Sequence, residues 1–298
     1  MIEFKTPQLT DREWAAPLMG GEQCLASHCN FANLYLWSRA FCQKVARLDD
    51  RLLIEFCKGF AFPAGFGPLA PALDALKARA KERGIPFRLV GVTPGQRARL
   101  EEEFPGRFTF EEDRDGWDYV YDINRLADLG GKKLHSKRNH IHRFDDRYPD
   151  WMFEPISREN LQECLDLENR WAAARHGDEP GSDILHEETV AVIEALYQME
   201  ALGMEGGLIR AEGEIVAFSL ASRTTEDCFD VHFEKAYGDI QGAYTVINRE
   251  MARMIRARHP EVKWLNREDD LGLEGLRKAK LSYYPDLLLE KFVAAEGE

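Results

Sequence analysis

The sequence predicts an α/β protein built from two layered units, and three features predict it. Residues 228–292 read as strand, glycine turn, helix, strand, helix, strand. The first half repeats that order of elements without repeating the residues, and a short basic stretch separates the two. Strands alternating with helices imply sheets covered by helices, which keep their chemistry where strands end and helices begin. The repeated order implies a structural duplication, with one unit at 1–128, a connecting helical segment at 129–150 and a second unit at 151–298.

In the first half, Thr10-Asp11-Arg12-Glu13 has capping-box spacing and starts a short helix. A helix over 30–41 places Phe31, Leu34, Tyr35 and Phe41 on its buried side. Strands flank Asp49-Asp50, the second over 52–57. The run Phe62-Pro63-Ala64-Gly65-Phe66-Gly67-Pro68 is a turn, because its glycines and prolines cannot sit inside a strand or helix. Helix 71–83, strand 87–92, helix 94–104 and strand pieces 108–111 and 119–122 follow.

Between the halves, Leu134, Ile141 and Phe144 fall on one face of a helix whose other residues are basic or polar. The second half opens with strand 152–156, a helix from Ser157 to Arg175 and another over 186–202. Glu212-Gly213 then forms a two-residue hairpin turn between strands 207–211 and 215–222. Strand 228–236 enters the turn 237–243. Tyr244, Ile247, Met251, Met254 and Ile255 recur at helical spacing after it. Strand 261–266, helix 273–284 and strand 287–293 close the chain.

The chain has 298 residues and a net charge of -13, from 39 basic and 52 acidic side chains. That balance excludes a general nucleic-acid or membrane binder, while leaving room for a local basic patch. No apolar run reaches the ~18 residues needed to span a bilayer, and the N-terminus lacks the order of a signal peptide. The six cysteines form no C-x-x-C pair, so they read as reduced thiols of a cytoplasmic protein.

Strand, two helices, a three-strand antiparallel meander and a glycine turn into helix, strand, helix and strand together resemble the GNAT acyltransferase fold. At the level of motifs the chain is similar to the DUF2156 group, related to the C-terminal domain of phosphatidylglycerol lysyltransferases and more distantly to FemABX aminoacyltransferases. The residues carrying the likeness run from Gly131-Lys132-Lys133-Leu134-His135-Ser136-Lys137-Arg138-Asn139-His140-Ile141 through Phe233-Glu234-Lys235-Ala236 and Gly242-Ala243-Tyr244 to Ile247-Asn248-Arg249-Glu250. It continues through 266–272, 274–280 and Ser282-Tyr283. The resemblance implies two GNAT-like domains in tandem, each a mixed, mostly antiparallel sheet flanked by helices.

Candidate chemistry concentrates in the second half. In GNAT enzymes using acyl-CoA the glycine turn cradles pyrophosphate, which here would involve Gln241, Gly242 and Ala243, with Asn248 one turn on. Aligned on Gly242, however, that pattern places Asp239 where a basic or amide residue belongs and Tyr244 where a small one belongs. A carboxylate there repels the ligand, so the turn equally reads as a plain strand-to-helix connection. Glu234 and Lys235 are consecutive on a strand and point to opposite faces. His232 shares a face with Glu234 and makes an acid–base pair conceivable, and the alternative is a one-sided surface strand. In 266–270, Asn266 and Arg267 suit a carboxylate or phosphate, Glu268 is a candidate acid or base, and Asp269 or Asp270 would hold an ammonium. The same acids suit helix capping.

Lys137, Arg138 and Arg143 with Arg277, Lys278 and Lys280 would suit a polyanion such as tRNA or a phospholipid head group, or simply form solvated helix faces. Tyr283 lies where the resemblance puts the acid that protonates the leaving group, and a core tyrosine fits too. His135, His140 and His142 do not share a helical face, so no metal is expected. Glu168 interrupts an apolar stripe, either as a cleft carboxylate with a raised pKa or as the stripe's edge.

These readings lead to a metal-free tandem-GNAT transferase that moves an aminoacyl or acyl group to an amine or hydroxyl. The basic segment and the poor pyrophosphate turn favour aminoacyl-tRNA over acyl-CoA as donor. The alternatives are a non-catalytic protein that binds RNA or a lipid head group, and an acyl-CoA-dependent N-acetyltransferase. The acceptor is not legible in the sequence.

Overall fold

The computed structural model describes residues 2–21, 23–174 and 182–297, with side chains 182–184 excepted. In chain order the elements are α1 (Arg12–Gly20), α2 (Phe31–Leu36), β1 (Lys44–Leu48), β2 (Arg51–Phe56), β3 (Gly59–Phe60), β4 (Ala64–Gly65), α3 (Ala70–Arg83), β5 (Arg88–Val92), α4 (Pro94–Glu103), β6 (Phe108–Glu112), β7 (Asp118–Asp122) and α5 (Ile123–Asp128). There follow α6 (His135–Arg147), β8 (Met152–Pro155), α7 (Leu161–Ala173), α8 (Ser182–Tyr197), α9 (Met199–Leu202), β9 (Met204–Ala211), β10 (Glu214–Thr225), β11 (Cys228–Ala236), α10 (Ala243–Arg258), β12 (Trp264–Asn266), α11 (Glu274–Leu281), β13 (Leu287–Leu289) and β14 (Phe292–Glu296).

Two mixed seven-stranded sheets flanked by helices result, giving the expected tandem α/β architecture. The first has the order β1-β2-β3-β5-β14-β6, with β4 on β2. The second runs β13-β7-β12-β11-β10-β9-β8. The chain does not divide at 128 and 151 as its linear order suggests. One compact unit takes the chain up to Tyr119 with Glu268–Arg277 and the C-terminus from Leu288, and the other takes Val120–Arg267 and Lys278–Leu287. Strand exchange is the reason. β14 inserts between β5 and β6, whereas β7 pairs with β12 in the second sheet.

The single terminal strand expected at 287–293 is therefore two strands in different sheets. Helix α2 is shorter than predicted. Asn30 caps it by accepting from the Ala32 N–H at 2.8 Å, but it ends at Leu36 and leaves Phe41 exposed. The capping box forms earlier than Thr10: Gln8 caps the short turn Leu9–Asp11, and Asp11 reaches back to accept from Gln8 N–H and also accepts from Trp14 Nε1. The Glu212-Gly213 hairpin forms with both residues at positive φ (52° and 85°), which a type I′ turn requires. Leu134, at the cap of α6, and Ile141 and Phe144 within it are buried as their spacing predicts. The helix expected from Ser157 starts at Leu161, and its expected end, Arg175, lies outside the described residues.

The first unit's core gathers Leu53, Phe60, Leu73, Leu76, Leu89 and Leu100 between sheet and helices. In the second unit α10 lies on β9, β10 and β11 and also meets α5 and α6, while α7 covers β10 and β11. Of the α10 residues predicted from spacing, Ile247, Met251, Met254 and Ile255 are buried, whereas Tyr244 is only half-buried. Cys42 and Cys57 are joined by a disulfide, contrary to the all-reduced expectation. The Cys57 N–H donates to Phe41 O at 3.0 Å, which brings the two Cα atoms to 5.1 Å. Spacing along the chain could not show this, because the pairing depends on where α2 turns back onto β2.

Candidate active site

Strand β11 divides the chemistry of the second unit. Its pairing with β10 shifts by one residue between Leu220 and Ala221, leaving His232 as the extra residue of a β-bulge. Beyond the bulge, Glu234 and Lys235 turn to opposite sides, each into its own charged cluster.

On one side Glu234 meets Arg267, which follows β12. Arg267 donates to Glu234 Oε2 through Nε at 2.9 Å and also through Nη2, while Asn248 Nδ2 of α10 donates to Oε1 at 3.0 Å. Both carboxylate oxygens are thus engaged, with the two side chains 12% and 13% exposed. Burial works against the guanidinium charge, but Glu234 and the rings of Tyr121 and Tyr283 outweigh it, so Arg267 stays firmly protonated. Its Cζ lies 4.8 Å from the Tyr283 ring centroid and 5.7 Å from that of Tyr121. Lys137 of α6 brings a second cation to Tyr283, with Nζ 3.9 Å from the centroid.

Two cations on one aromatic platform have an electrostatic consequence. Burial, reinforced by the Arg267 charge and opposed by Glu234, pulls the Lys137 ammonium down to about 8. Burial pushes the Tyr283 phenol up, against the pull of Arg267, and its hydroxyl is hydrogen-bonded with Thr245. Among the described residues Arg267 Nη1 and Asn248 Oδ1 are buried without a hydrogen-bond partner. An unsatisfied buried polar atom costs about 1–3 kcal/mol and marks a place where a ligand atom would be welcome.

On the other side Lys235, 1% exposed, puts Nζ 3.5 Å from the Trp171 ring centroid, 3.0 Å from Glu188 Oε1 and 3.7 Å from Glu168 Oε1. Burial raises the Glu168 pKa, opposed by Lys235 and abetted by Glu188. Glu168 is a buried carboxylate and not the edge of a stripe. The cage residues Trp171 and Glu188 went unrecognised in the sequence, although Glu168 and Trp171 lie one helical turn apart on α7.

The glycine turn is shaped by packing. Gly242 has φ 93°, and a Cβ there would meet the His140 carbonyl oxygen of α6 at 2.5 Å. The N–H groups of Ala243 and Thr245 already donate to Ile240 O and Gly242 O. With two of its first three amides engaged, this helix start makes a poor anion cradle. Gln241 is exposed, while Ala243 and Asn248 are buried.

The other candidates are dispersed. His232 Nε2 lies 2.8 Å from Ser222 Oγ and its Nδ1 lies 3.7 Å from Asp230. Asn266 is fully buried, its backbone paired in β12. Lys280 is buried and donates to Arg267 O at 2.5 Å, so it clamps β12 to α11 instead of facing a polyanion. Arg138 is likewise occupied, donating to the carbonyls of Leu129 and Gly131. Arg143 and Lys278 are exposed. Four candidates belong to the first unit. There Arg277 is held by Asp270 and Asp115, Glu268 accepts from Asn33, and Asp269 accepts from the Leu271 N–H. Asp270 accepts from Tyr119 and Arg277, and these bonds outweigh burial and hold it down to about 2.

A family model described as phosphatidylglycerol lysyltransferase, C-terminal, matches residues 24–295. A conserved protein of unknown function from Bacteroides thetaiotaomicron superposes with a TM-score of 0.92 at 40% identity, covering 100% of both chains. The C-terminal DUF2156 domain of a putative lysylphosphatidylglycerol synthetase from Agrobacterium fabrum gives a TM-score of 0.67 at 13% identity, covering 97% of this chain and 92% of that one. An uncharacterized protein of Mycoplasmoides gallisepticum is 24% identical over 178 residues, 59% of this chain, and the match spans only 54% of that protein's length.

Proposed function

Because the chain belongs to the phosphatidylglycerol lysyltransferase C-terminal family, we propose that its second unit transfers an aminoacyl group to a hydroxyl or amine, working from Lys137, Arg267 and Tyr283. The observation carrying this reading is Arg267 Nη1, buried without a partner beside a lysine whose pKa is about 8.

The donor's ester carbonyl would accept from Arg267 Nη1, which steadies the oxyanion as the acceptor attacks. Neutral Lys137 takes the acceptor's proton and returns it to the departing alkoxide, so the amine ends as it began. Glu234 is a positioning residue in this scheme. With both oxygens engaged it fixes the guanidinium fork and leaves Nη1 for the ligand. Tyr283 serves as the platform for the two cations. Its hydroxyl is bonded with Thr245, which disfavours the role of acid to the leaving group.

The engaged amides at the start of α10 favour an aminoacyl ester over a CoA thioester, whose pyrophosphate would need them. Exposed Lys132, Lys133 and Arg143 would attract the phosphates of a tRNA carrying that ester, which implies work in the cytoplasm. No helix among the described residues is long and apolar enough to cross a membrane.

The test is donor discharge. Purified protein is incubated with a panel of charged tRNAs and, separately, with acyl-CoAs, each with and without candidate amine and hydroxyl acceptors. Expected is discharge of at least one aminoacyl-tRNA, lost in Lys137→Met. Consumption of acyl-CoA alone, or no turnover with any donor, overturns the reading.

A further inference from the structure

The four cysteines of the first unit fall into two pairs. Cys42 and Cys57 are already bonded. Cys24 precedes the tight turn Ser27–Cys29 and Cys29 ends it; both are partly exposed, and their Sγ atoms are 2.7 Å apart. Uncharged heavy atoms that merely pack settle at about 3.5–4.0 Å, and bonded sulfurs at about 2.05 Å. The two sulfurs are therefore held inside packing distance and just short of a bond. The cysteines of the second unit differ. Cys164 and Cys228 are buried apart, and burial pushes the Cys164 thiol up to about 12.

We propose that Cys24 and Cys29 form a reversible dithiol–disulfide site, a place of oxidative modification whose partner is a low-molecular-weight disulfide. One thiolate attacks the small disulfide, forming a mixed disulfide and releasing one thiol. The second cysteine attacks the protein sulfur and releases the other small thiol. The protein pair loses two electrons and two protons, and the small disulfide is reduced by the same amount. The new ring closes around Ser27, whose N–H and Oγ both donate to buried Asp118. Oxidation would thus lock a turn that the unit already holds by hydrogen bonds, and this makes closure sterically cheap.

The intact chain is equilibrated in oxidised and reduced glutathione at a series of ratios and quenched with acid. Exposed thiols are alkylated with one reagent, and after reduction with a second, before peptide mapping. In an aliquot mapped before the reduction step, the peptide carrying both residues is expected to be lighter by two hydrogens at oxidising ratios and free of glutathione; after that step it carries the second reagent at both positions, and at reducing ratios it carries the first. Cys164 and Cys228 should stay reduced throughout. In Cys24→Ser, Cys29 should instead carry one glutathione. The proposal is overturned if Cys24 and Cys29 take the first reagent at every ratio. Separate capping of each by glutathione, or linkage of either to Cys42 or Cys57, overturns it as well.

Discussion

Arg267 grips Glu234 with two of its three nitrogens, and Asn248 takes the carboxylate oxygen that remains. The pair joins β11 to the segment after β12 from within one sheet, and it withholds only Nη1 from the protein. A buried ion pair seldom stabilises a fold more than well-packed apolar residues would, so its value lies in what it positions.

Removing one partner exposes that logic. Glu234→Ala strands the Arg267 charge and should cost about 3–5 kcal/mol, read from the urea midpoint at constant slope. Glu234→Leu combined with Arg267→Met should recover most of that stability but none of the transfer activity. A loss under about 1 kcal/mol in the single variant would fit a solvated pair instead.

Lys137 sets a pH dependence. Its pKa, about 8 in the fold against an ordinary 10.5, makes the neutral amine abundant only as pH rises through 8. Transfer should therefore climb with pH, reach half its plateau near 8 and stay flat above. The stability sign agrees. A depressed lysine pKa contributes stability that is full above 10.5 and is lost as pH falls through about 8. Lys137→Arg should lose transfer across the whole range, because a guanidinium does not give up its proton there. A profile flat from pH 6 to 9 in the unmodified protein would remove Lys137 from the proton path.

Much of this site was legible in the sequence, and what was not had a physical reason. The strict two-residue period of a strand sends Glu234 and Lys235 to opposite sides, and the helical period buries Ile247 and Met251. Neither period says that Arg267, 33 positions on from Glu234, curls back to it. The basic residues read alike as letters, yet Lys280 and Arg138 spend their charges on backbone carbonyls while Lys137 sits on an aromatic ring. Linear order also hid the exchange of β7 and β14 between sheets, because a strand's sequence records its burial and not its partner.

Gly242 separates packing from ligand binding. Gly242→Ala puts a Cβ into the His140 carbonyl and onto a backbone at φ 93°, so it should lower stability by at least about 1–3 kcal/mol. Gly238→Ala, in the same loop with open space around it, should leave the melting temperature nearly unchanged. A stable Gly242→Ala protein that had lost only donor binding would instead restore the phosphate-cradle reading of this turn.

The cluster around Lys235 makes the last prediction, and its sign follows from burial. Glu168 has a raised pKa, so the fold favours its protonated form. That preference stabilises fully below the unfolded value near 4.5 and is lost as pH rises through the higher folded value. Glu168→Gln keeps the neutral shape at every pH, and its stability relative to the unmodified protein should improve as the solution is taken from acid to neutral. Lys235→Met acts oppositely. It leaves Glu188 without its cation beside Glu168, and at neutral pH should cost about 3–5 kcal/mol. Part of that cost should return when Glu168→Gln is combined with it, since a neutral amide adds no second carboxylate beside Glu188. Trp171 fluorescence during urea unfolding at several pH values reads both effects, because Lys235 stacks on its ring. Equal pH slopes in Glu168→Gln and the unmodified protein would mean that Glu168 is ionised in the fold, held by Lys235 against its burial.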